Sequence, residues 1–440
     1  MFRDHQPFGK LFDEPPRNGL TRPKAIRGTG TKMVNMGELF AHSRLDNATM
    51  DRVPLNEQEA VRYLLKSGDL LFARQSLVLE GAGKCAIFVG DKEPVTFESH
   101  VTRVRLDQAK ADPRFYFYYL QSYEGRSTIR SIVEQGAGAS GIRSSDLQRL
   151  DVIYPALREQ VAIADVLEAL DLKIELNQRM NETLEAMARA LFRSWFLDFD
   201  PVRAKAQARD TGLPAAISTV FSNSFIRSER GEIPFGWRLG KIDDLAEIVG
   251  GSTPATSNSA FWTDGQHCWA TPKDLASLKA PILLDTERKI TDSGLDQISS
   301  GLLPPGTVLL SSRAPIGYLA LACVPVAINQ GFIAMKPRVG TSNVYLLEWT
   351  RSSHDEIVSR ANGSTFLEIN KSNFRPIPVV MPPSAVLTVF DKIARPLFDR
   401  IVEADRESRT LAQTRDVLLP RLTSGEIRVR DAEKCESAAA

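Results

Sequence analysis

From Ile163 onward, apolar residues recur in steps of four and three: Ile163, Leu167, Leu170 and Ile174, then Leu184, Ala188, Leu191 and Trp195. Asn177 and Asn181 fill the two places between, so the stripe has a polar centre. Alternating steps of four and three keep one face of an α-helix apolar, as in the seam of a coiled coil. The same steps return at Phe390, Ala394, Leu397 and Ile401, pass Ala404 and Ser408, and resume at Leu411, Arg415, Leu418 and Leu422. Each of these lies 227 residues after its counterpart. Two stripes in one register predict two long helices that pair with each other. The pairing residues are Ile163, Leu170, Ile174, Leu184, Leu191, Trp195 and Phe196 on the first, and Phe390, Leu397, Ile401, Leu411, Leu418 and Leu422 on the second. Pro396 is expected to kink the second helix or to delay the start of its regular stretch by a turn.

The repeat extends upstream of each helix. GAGASGIRSSDLQRLDVIYP (136–155) matches GSTFLEINKSNFRPIPVVMP (363–382) at the same offset. Both read as a Gly/Ser loop, a short capped helical turn, an extended apolar run and a proline. SGDLLFAR (67–74) resembles PGTVLLSSR (305–313): a turn, a buried strand, and an arginine where the strand opens into a loop. VNMGELF (34–40) echoes WRLGKID (237–243). Extended runs alternating with helical ones give a mixed α/β fold: two globular α/β domains joined by two long coiled-coil helices, with pseudo-two-fold symmetry. The boundaries that follow are a first domain over 1–155, a long helix over 156–200, a linker over 201–230, a second domain over 231–382, a long helix over 383–423 and a tail over 424–440. The first helix ends in LFRSWFLDFDPV (191–202), more aromatic than one partner helix requires, and Asp200-Pro201 is expected to stop it.

With 440 residues, 25% charged and 43% hydrophobic, the chain reads as a folded protein of several domains rather than a disordered one. Its 55 Lys and Arg balance 54 Asp and Glu, so bulk charge does not announce a nucleic-acid binder. The total hides a basic N-terminal stretch (Arg17, Arg22, Lys24, Arg27, Lys32) and an acid-rich first helix (Glu159, Asp165, Glu168, Asp171, Glu175). The four cysteines are too scattered for a disulfide framework or a zinc pair, so no metal site is expected. The most apolar run, from Ala314, is short for a membrane span and holds two prolines. The N-terminus lacks a signal peptide's apolar core. The expected location is the cytoplasm, with no membrane partner.

Two related units on matched helices suit a target that is itself bipartite. Double-stranded DNA fits, because two-unit readers bind half-sites about one helical turn apart. Four phrases carry a family resemblance here: YPALREQVAIADVLEALD (154–171), LFRSWFLDFDPV (191–202), INQGF (328–332) and LLPRLTSGEI (418–427). Together they resemble the specificity subunit of type I restriction-modification enzymes over nearly the whole chain. GWRLGKIDDLAEIVGGSTPAT (236–256) is similar to the opening of a second target-recognition domain in that family. Where the first helix opens with REQ (158–160) the second has SAV (384–386), a departure from the pattern.

The resemblance implies a non-catalytic, DNA-reading subunit with each domain on one half of a split target. Its helices, with the pairing residues above, would pack antiparallel as coiled-coil helices, hold the domains apart and dock two modification subunits. Those partners would bind S-adenosylmethionine and methylate adenine, and separate restriction/translocase subunits would use ATP and Mg. The chain itself would bind no cofactor. A recognition subunit of a related system, whose partner fuses modification and cleavage, is the alternative.

Catalytic motifs point the same way. EGAGKC (80–85) lacks the first glycine and the Ser/Thr of a phosphate loop. No Asn/Asp-Pro-Pro-aromatic tetrapeptide, deaminase signature or metal-spaced histidine pair occurs. No catalytic residue is therefore expected. Base edges are read by Arg, Lys, Asn and Gln, and phosphates are held by Lys, Arg, Ser and Thr. At strand-end loops these types give the candidate DNA-binding residues: Arg74, Lys84, Arg143 and Ser144 in the first unit, and Lys273, Arg313, Asn329, Gln330, Thr365 and Lys371 in the second.

Overall fold

Leu70–Ala73 reads LLFA, apolar without alternation, and forms a strand buried on both faces. The computed structural model describes residues 4–136, 139–363 and 367–429. The strands of the first main sheet are β1 (Phe12–Asn18), β2 (Arg44–Asp46), β3 (Leu70–Ala73), β4 (Cys85–Gly90) and β5 (Val101–Leu106), in the order β1-β5-β3-β4-β2. A second sheet holds β6 (Ala246–Gly250), β7 (Ile282–Leu283), β8 (Val308–Ser312), β9 (Ile316–Ala322) and β10 (Phe332–Pro337), in the order β6-β10-β8-β9-β7. The two orders are the same once five is added to each number. Every pairing is antiparallel except the last of each sheet, β4 with β2 and β9 with β7.

The smaller sheets repeat as well. Thr31–Val34 pairs antiparallel with Asp51–Val53 and parallel with Val95–Phe97. His267–Ala270 pairs antiparallel with Arg288–Ile290 and parallel with Val326–Ile328. His5–Pro7 pairs with Asp151–Ile153, as Arg238–Lys241 does with Pro378–Met381. The internal repeat thus holds at the level of hydrogen-bond topology.

The long helices are α1 (Leu157–Phe192) and α2 (Ser384–Ser424). The chain divides into one unit of Met1–Ile174 with Thr410–Ala440 and another of Glu175–Arg409, so each unit takes a share of both helices. In the first unit Ile163, Leu167 and Leu170 share a buried cluster with Leu418, Leu419 and Leu422, and Leu411 packs against it. The start of α1 therefore meets the end of α2. Asp171 accepts hydrogen bonds from Arg415 at 2.6 Å and from Tyr118 at 2.7 Å beside this cluster. In the second unit Ala188, Phe192, Trp195 and Phe196 cluster with Phe390, Ala394, Phe398 and Ile401, with Leu184, Leu191 and Leu397 partly buried against them. The end of α1 meets the start of α2, so the pairing is antiparallel. Ile174 is half-buried and belongs to neither cluster.

Three local expectations are corrected. Pro396 does not delay α2, which runs unbroken from Ser384 to Ser424. The proline is exposed, so the carbonyl that loses its N–H partner can turn to water. The long helix does end just before Asp200-Pro201, but the helical path resumes at once. α1 ends in a wider π turn at Arg193–Leu197, and Phe199 takes a left-handed conformation at φ 54°. Asp200-Pro201 then opens a new helix, Asp200–Ala206, where proline loses no hydrogen bond and the carboxylate suits the first turn. The third correction concerns the surplus aromatics. Trp195 and Phe196 are 2% and 5% exposed and meet the second unit's own rings: Trp195 with Phe221 at 4.9 Å, Phe196 with Tyr345 at 4.9 Å and with Phe390 at 5.0 Å. Burial within the unit leaves little of either ring for a partner chain. Residues 201–230, expected as linker, also supply buried Val202 and Phe221 to this core.

Candidate nucleic-acid interface

In the first unit the backbone of Arg74, just past β3, is fixed on both sides. Its N–H donates to the His100 carbonyl at 2.8 Å, and its carbonyl accepts from Ile142 N–H at 2.9 Å. The guanidinium donates to the Ser99 carbonyl at 3.3 Å and borders an open polar cleft of about 490 Å³. Asn18, Gln75, Arg143 and Ser144 face the same cleft. Asn18 Oδ1 accepts from Ser144 Oγ at 3.0 Å and from Thr102 Oγ1 at 2.7 Å, which fixes the orientation of its amide. Arg143 pairs with Glu134 at 2.6 Å, and both side chains are more than half exposed. An exposed pair of this kind contributes at most about 1 kcal/mol and is screened by salt, so a phosphate can displace Glu134. Three of the four residues expected in this unit therefore converge.

Lys84 does not join them. Its ammonium donates to the Phe40 carbonyl at 2.8 Å and lies 5.0 Å over the Phe40 ring. Burial, with Arg126 nearby, pulls its pKa down. It faces a separate cavity of about 360 Å³ with Arg126 and Arg130.

The second unit repeats the backbone arrangement at Ser312, not at Arg313. Ser312 N–H donates to the Gly331 carbonyl at 2.8 Å, and the Ser312 carbonyl accepts from Ile369 N–H at 3.0 Å. Arg313 bridges Glu368 as Gln75 pairs with Gly141. The two arginines read as counterparts in sequence are thus one place apart in structure. Their side chains leave the strand end on different sides, because successive residues of an extended chain point oppositely. Arg313 lies 3.6 Å from the Glu368 carboxylate.

The remaining second-unit candidates divide. Asn329 Oδ1 accepts from Gly331 N–H at 2.9 Å and holds its own turn, a structural duty. Gln330 is exposed and accepts from the Thr253 hydroxyl. Lys371 opens the short helix Lys371–Phe374, where the Asn370 side chain accepts from Asn373 N–H at 2.9 Å. Its ammonium lies alongside Gly250, 3.5 Å from where a β-carbon there would sit. Lys273 is largely exposed and pairs with Glu287 at 2.8 Å, and that hydrogen bond raises its pKa. Thr365 lies outside the described residues.

Asn18, Gln75, Thr253 and Asn370 carry no distinguishing signal in the sequence, although all four place polar groups at these strand and helix ends. Asn18 is 126 residues from its partner Ser144, and only the fold brings them together. Gln160 of the REQ phrase is fully buried, accepts from Asp112 N–H at 2.9 Å and donates to the Pro155 carbonyl at 2.9 Å. It ties the first unit to its helix rather than facing outward. Among the described residues, no group of three or more His, Cys, Asp or Glu is placed to hold a metal ion, and no helix is long and apolar enough to cross a membrane.

The family model described as "Type I restriction modification DNA specificity domain" matches residues 29–186 and again 234–394. The HindI specificity subunit of Haemophilus influenzae is 26% identical over 447 aligned residues, covering 90% of this chain and 94% of that one. The MjaIX specificity subunit of Methanocaldococcus jannaschii is 36% identical over 182 residues, covering 39% of this chain and 42% of its own. The crystal structure of the type I restriction-modification S subunit from M. genitalium superposes with a TM-score of 0.56 at 15% identity, over 95% of each chain, a likeness of fold.

Proposed function

Since the chain belongs to the family of type I restriction modification DNA specificity domains, we propose that it reads a bipartite DNA target and presents that site to catalytic partners. Its work is recognition, and bond-making belongs to other subunits of the complex. The observation that carries this reading is the duplication itself: two units with the same strand order each place cationic and amide residues at corresponding strand ends. Arg74 and Arg143 in one unit, and Arg313, Gln330 and Lys371 in the other, are the groups offered to DNA. Arginine and glutamine suit base edges, and lysine suits phosphate.

Two modification subunits are proposed to dock on the long helices, with restriction/translocase subunits joining them. Leu176 and Met187 on α1 support this, being 59% and 52% exposed and eleven residues, or about three helical turns, apart on one face. S-adenosylmethionine, ATP and Mg are assigned to those partners, and the assembly to the cytoplasm. Methylome sequencing of a host with and without this gene tests the reading. One bipartite methylated motif should vanish with the gene, and an unchanged methylome counts against it.

A further inference from the structure

In the second unit Arg288 lies over the ring of Trp262, its guanidinium carbon 3.6 Å from the ring centroid. The ring is itself fixed. Its indole N–H donates to the Ala255 carbonyl at 3.1 Å, and its edge packs against Trp269 at 5.0 Å. Trp269 is buried and donates to the Ser252 carbonyl at 3.3 Å. Arg288 is exposed and, among the described residues, has no carboxylate partner. The acidic neighbours are engaged elsewhere: Glu287 with Lys273 at 2.8 Å, and Asp285 with Lys289 at 3.5 Å. Stacking holds a guanidinium in plane and leaves its N–H edge open, so less side-chain freedom is lost when that edge bonds.

Its place in the fold connects this residue to the proposed interface. β6 ends at Gly250 beside Lys371, and the chain continues through Gly251, whose backbone is pressed against the Ile328 carbonyl. Thr253 then meets Gln330, and Ala255 holds Trp262. Gly250 to Ala255 is five residue steps, at most about 17 Å. One short loop therefore links Lys371, Gln330 and the Trp262–Arg288 stack. We propose that Arg288 is a base-reading residue of the second unit, pre-set by Trp262 to bond a guanine edge in the major groove. Arginine with a free, planar edge matches guanine O6 and N7 with two parallel bonds. This deepens the DNA-reading function proposed above and rests on it.

The test selects preferred sites from random DNA with the full chain in complex with its modification subunits, for the wild type, Arg288→Ala and Arg288→Lys. Both replacements remove the paired N–H edge, and only lysine keeps the charge. Discrimination at one guanine position of one half-site should fall roughly 10- to 100-fold for both, with the other half-site unchanged. Wild-type preference at every position in both variants overturns the proposal. So does a uniform loss across all sequences for alanine that lysine restores, which assigns Arg288 to a phosphate. A wild-type complex with no sequence preference is a different failure, that of the DNA-reading function itself. Trp262→Leu, which removes the stack but keeps Arg288, should weaken the same position partially, and loss at a different position contradicts the pre-setting role.

Discussion

The side-chain amide of Asn177 donates to the carbonyl of Ala404 at 3.3 Å, and the two residues are 227 apart, the offset of the whole repeat. Antiparallel helices related by a repeat meet their own counterparts only at the middle of the pair. The same amide reaches Glu407 at 2.8 Å and Ser408 at 3.2 Å. Asn177 is 1% exposed, yet its Oδ1 finds no hydrogen-bond partner. A buried polar residue in such a seam fixes register at a cost in stability.

Asn177→Leu should therefore stabilise the protein. It removes an unsatisfied buried oxygen and adds apolar contact, and the Ala404 carbonyl keeps its bond from Ser408 at 2.7 Å. The expected gain is about 1 kcal/mol, or a rise in Tm of roughly 2–4 °C for a unit of this size. Thermal unfolding followed by circular dichroism checks it. A fall in Tm would mean that the Asn177 bonds outweigh its stranded oxygen.

Glu348 gives a pH dependence of definite sign. It is 1% exposed, neither carboxyl oxygen has a hydrogen bond, and its contact with Arg351 is a loose 3.4 Å. Burial pushes its pKa above the usual carboxylate range, and nearby Glu185 adds to this while Arg351 and Arg189 oppose it. A raised acid binds its proton more tightly in the folded state, so its contribution is fully present below the unfolded value and is lost as pH rises through the folded one. Glu348→Gln removes that loss. The variant should match wild type near pH 4 and exceed its Tm increasingly towards pH 7. A difference that shrinks as pH rises contradicts the assignment.

Leu176 tests the helix face offered to a partner. An exposed leucine contributes little to folding, so Leu176→Asp should leave stability within about 0.5 kcal/mol. Placing a charge in an apolar interface should weaken capture of the modification subunits at least about tenfold. Co-purification and a titration of complex formation measure this. Undiminished capture would move the docking surface elsewhere.

How much of this is readable in the sequence follows from which signals are periodic. Ile163, Leu167 and Leu170, and Phe390 and Ile401, declare themselves by spacing, and the fold buries them in the helix pair. Trp195 and Phe196 are equally visible, but their partners Phe221, Trp237 and Tyr345 come from the second unit, and spacing along one helix carries no information about them. Arg74 and Arg313 look equivalent because each ends an apolar run. The shift of one residue lies in the backbone bonds of Arg74 and Ser312, and side-chain type does not encode it. Lys84 and Asn329 have the right chemistry, but local carbonyl and amide partners take up both. Arg288 gives no sequence signal because only the fold sets it over the Trp262 ring, which no periodic spacing links to it.

Arg313→Ala separates base reading from phosphate holding at the second strand end. A base contact predicts roughly 1–3 kcal/mol lost at one position of one half-site. A phosphate contact predicts uniform weakening and a shallower salt dependence. Site selection at two salt concentrations tells them apart, and no effect on either would remove Arg313 from the interface.

The central claim is that each unit reads one half of the target on its own. Exchange of residues 231–382 for the equivalent segment of a relative with a different target tests it most directly, read by methylome sequencing of a host carrying the chimera and its modification subunits. The account predicts a motif with one half replaced by the relative's and the other half kept. A motif in which both halves change, or in which neither does while methylation persists, would contradict it.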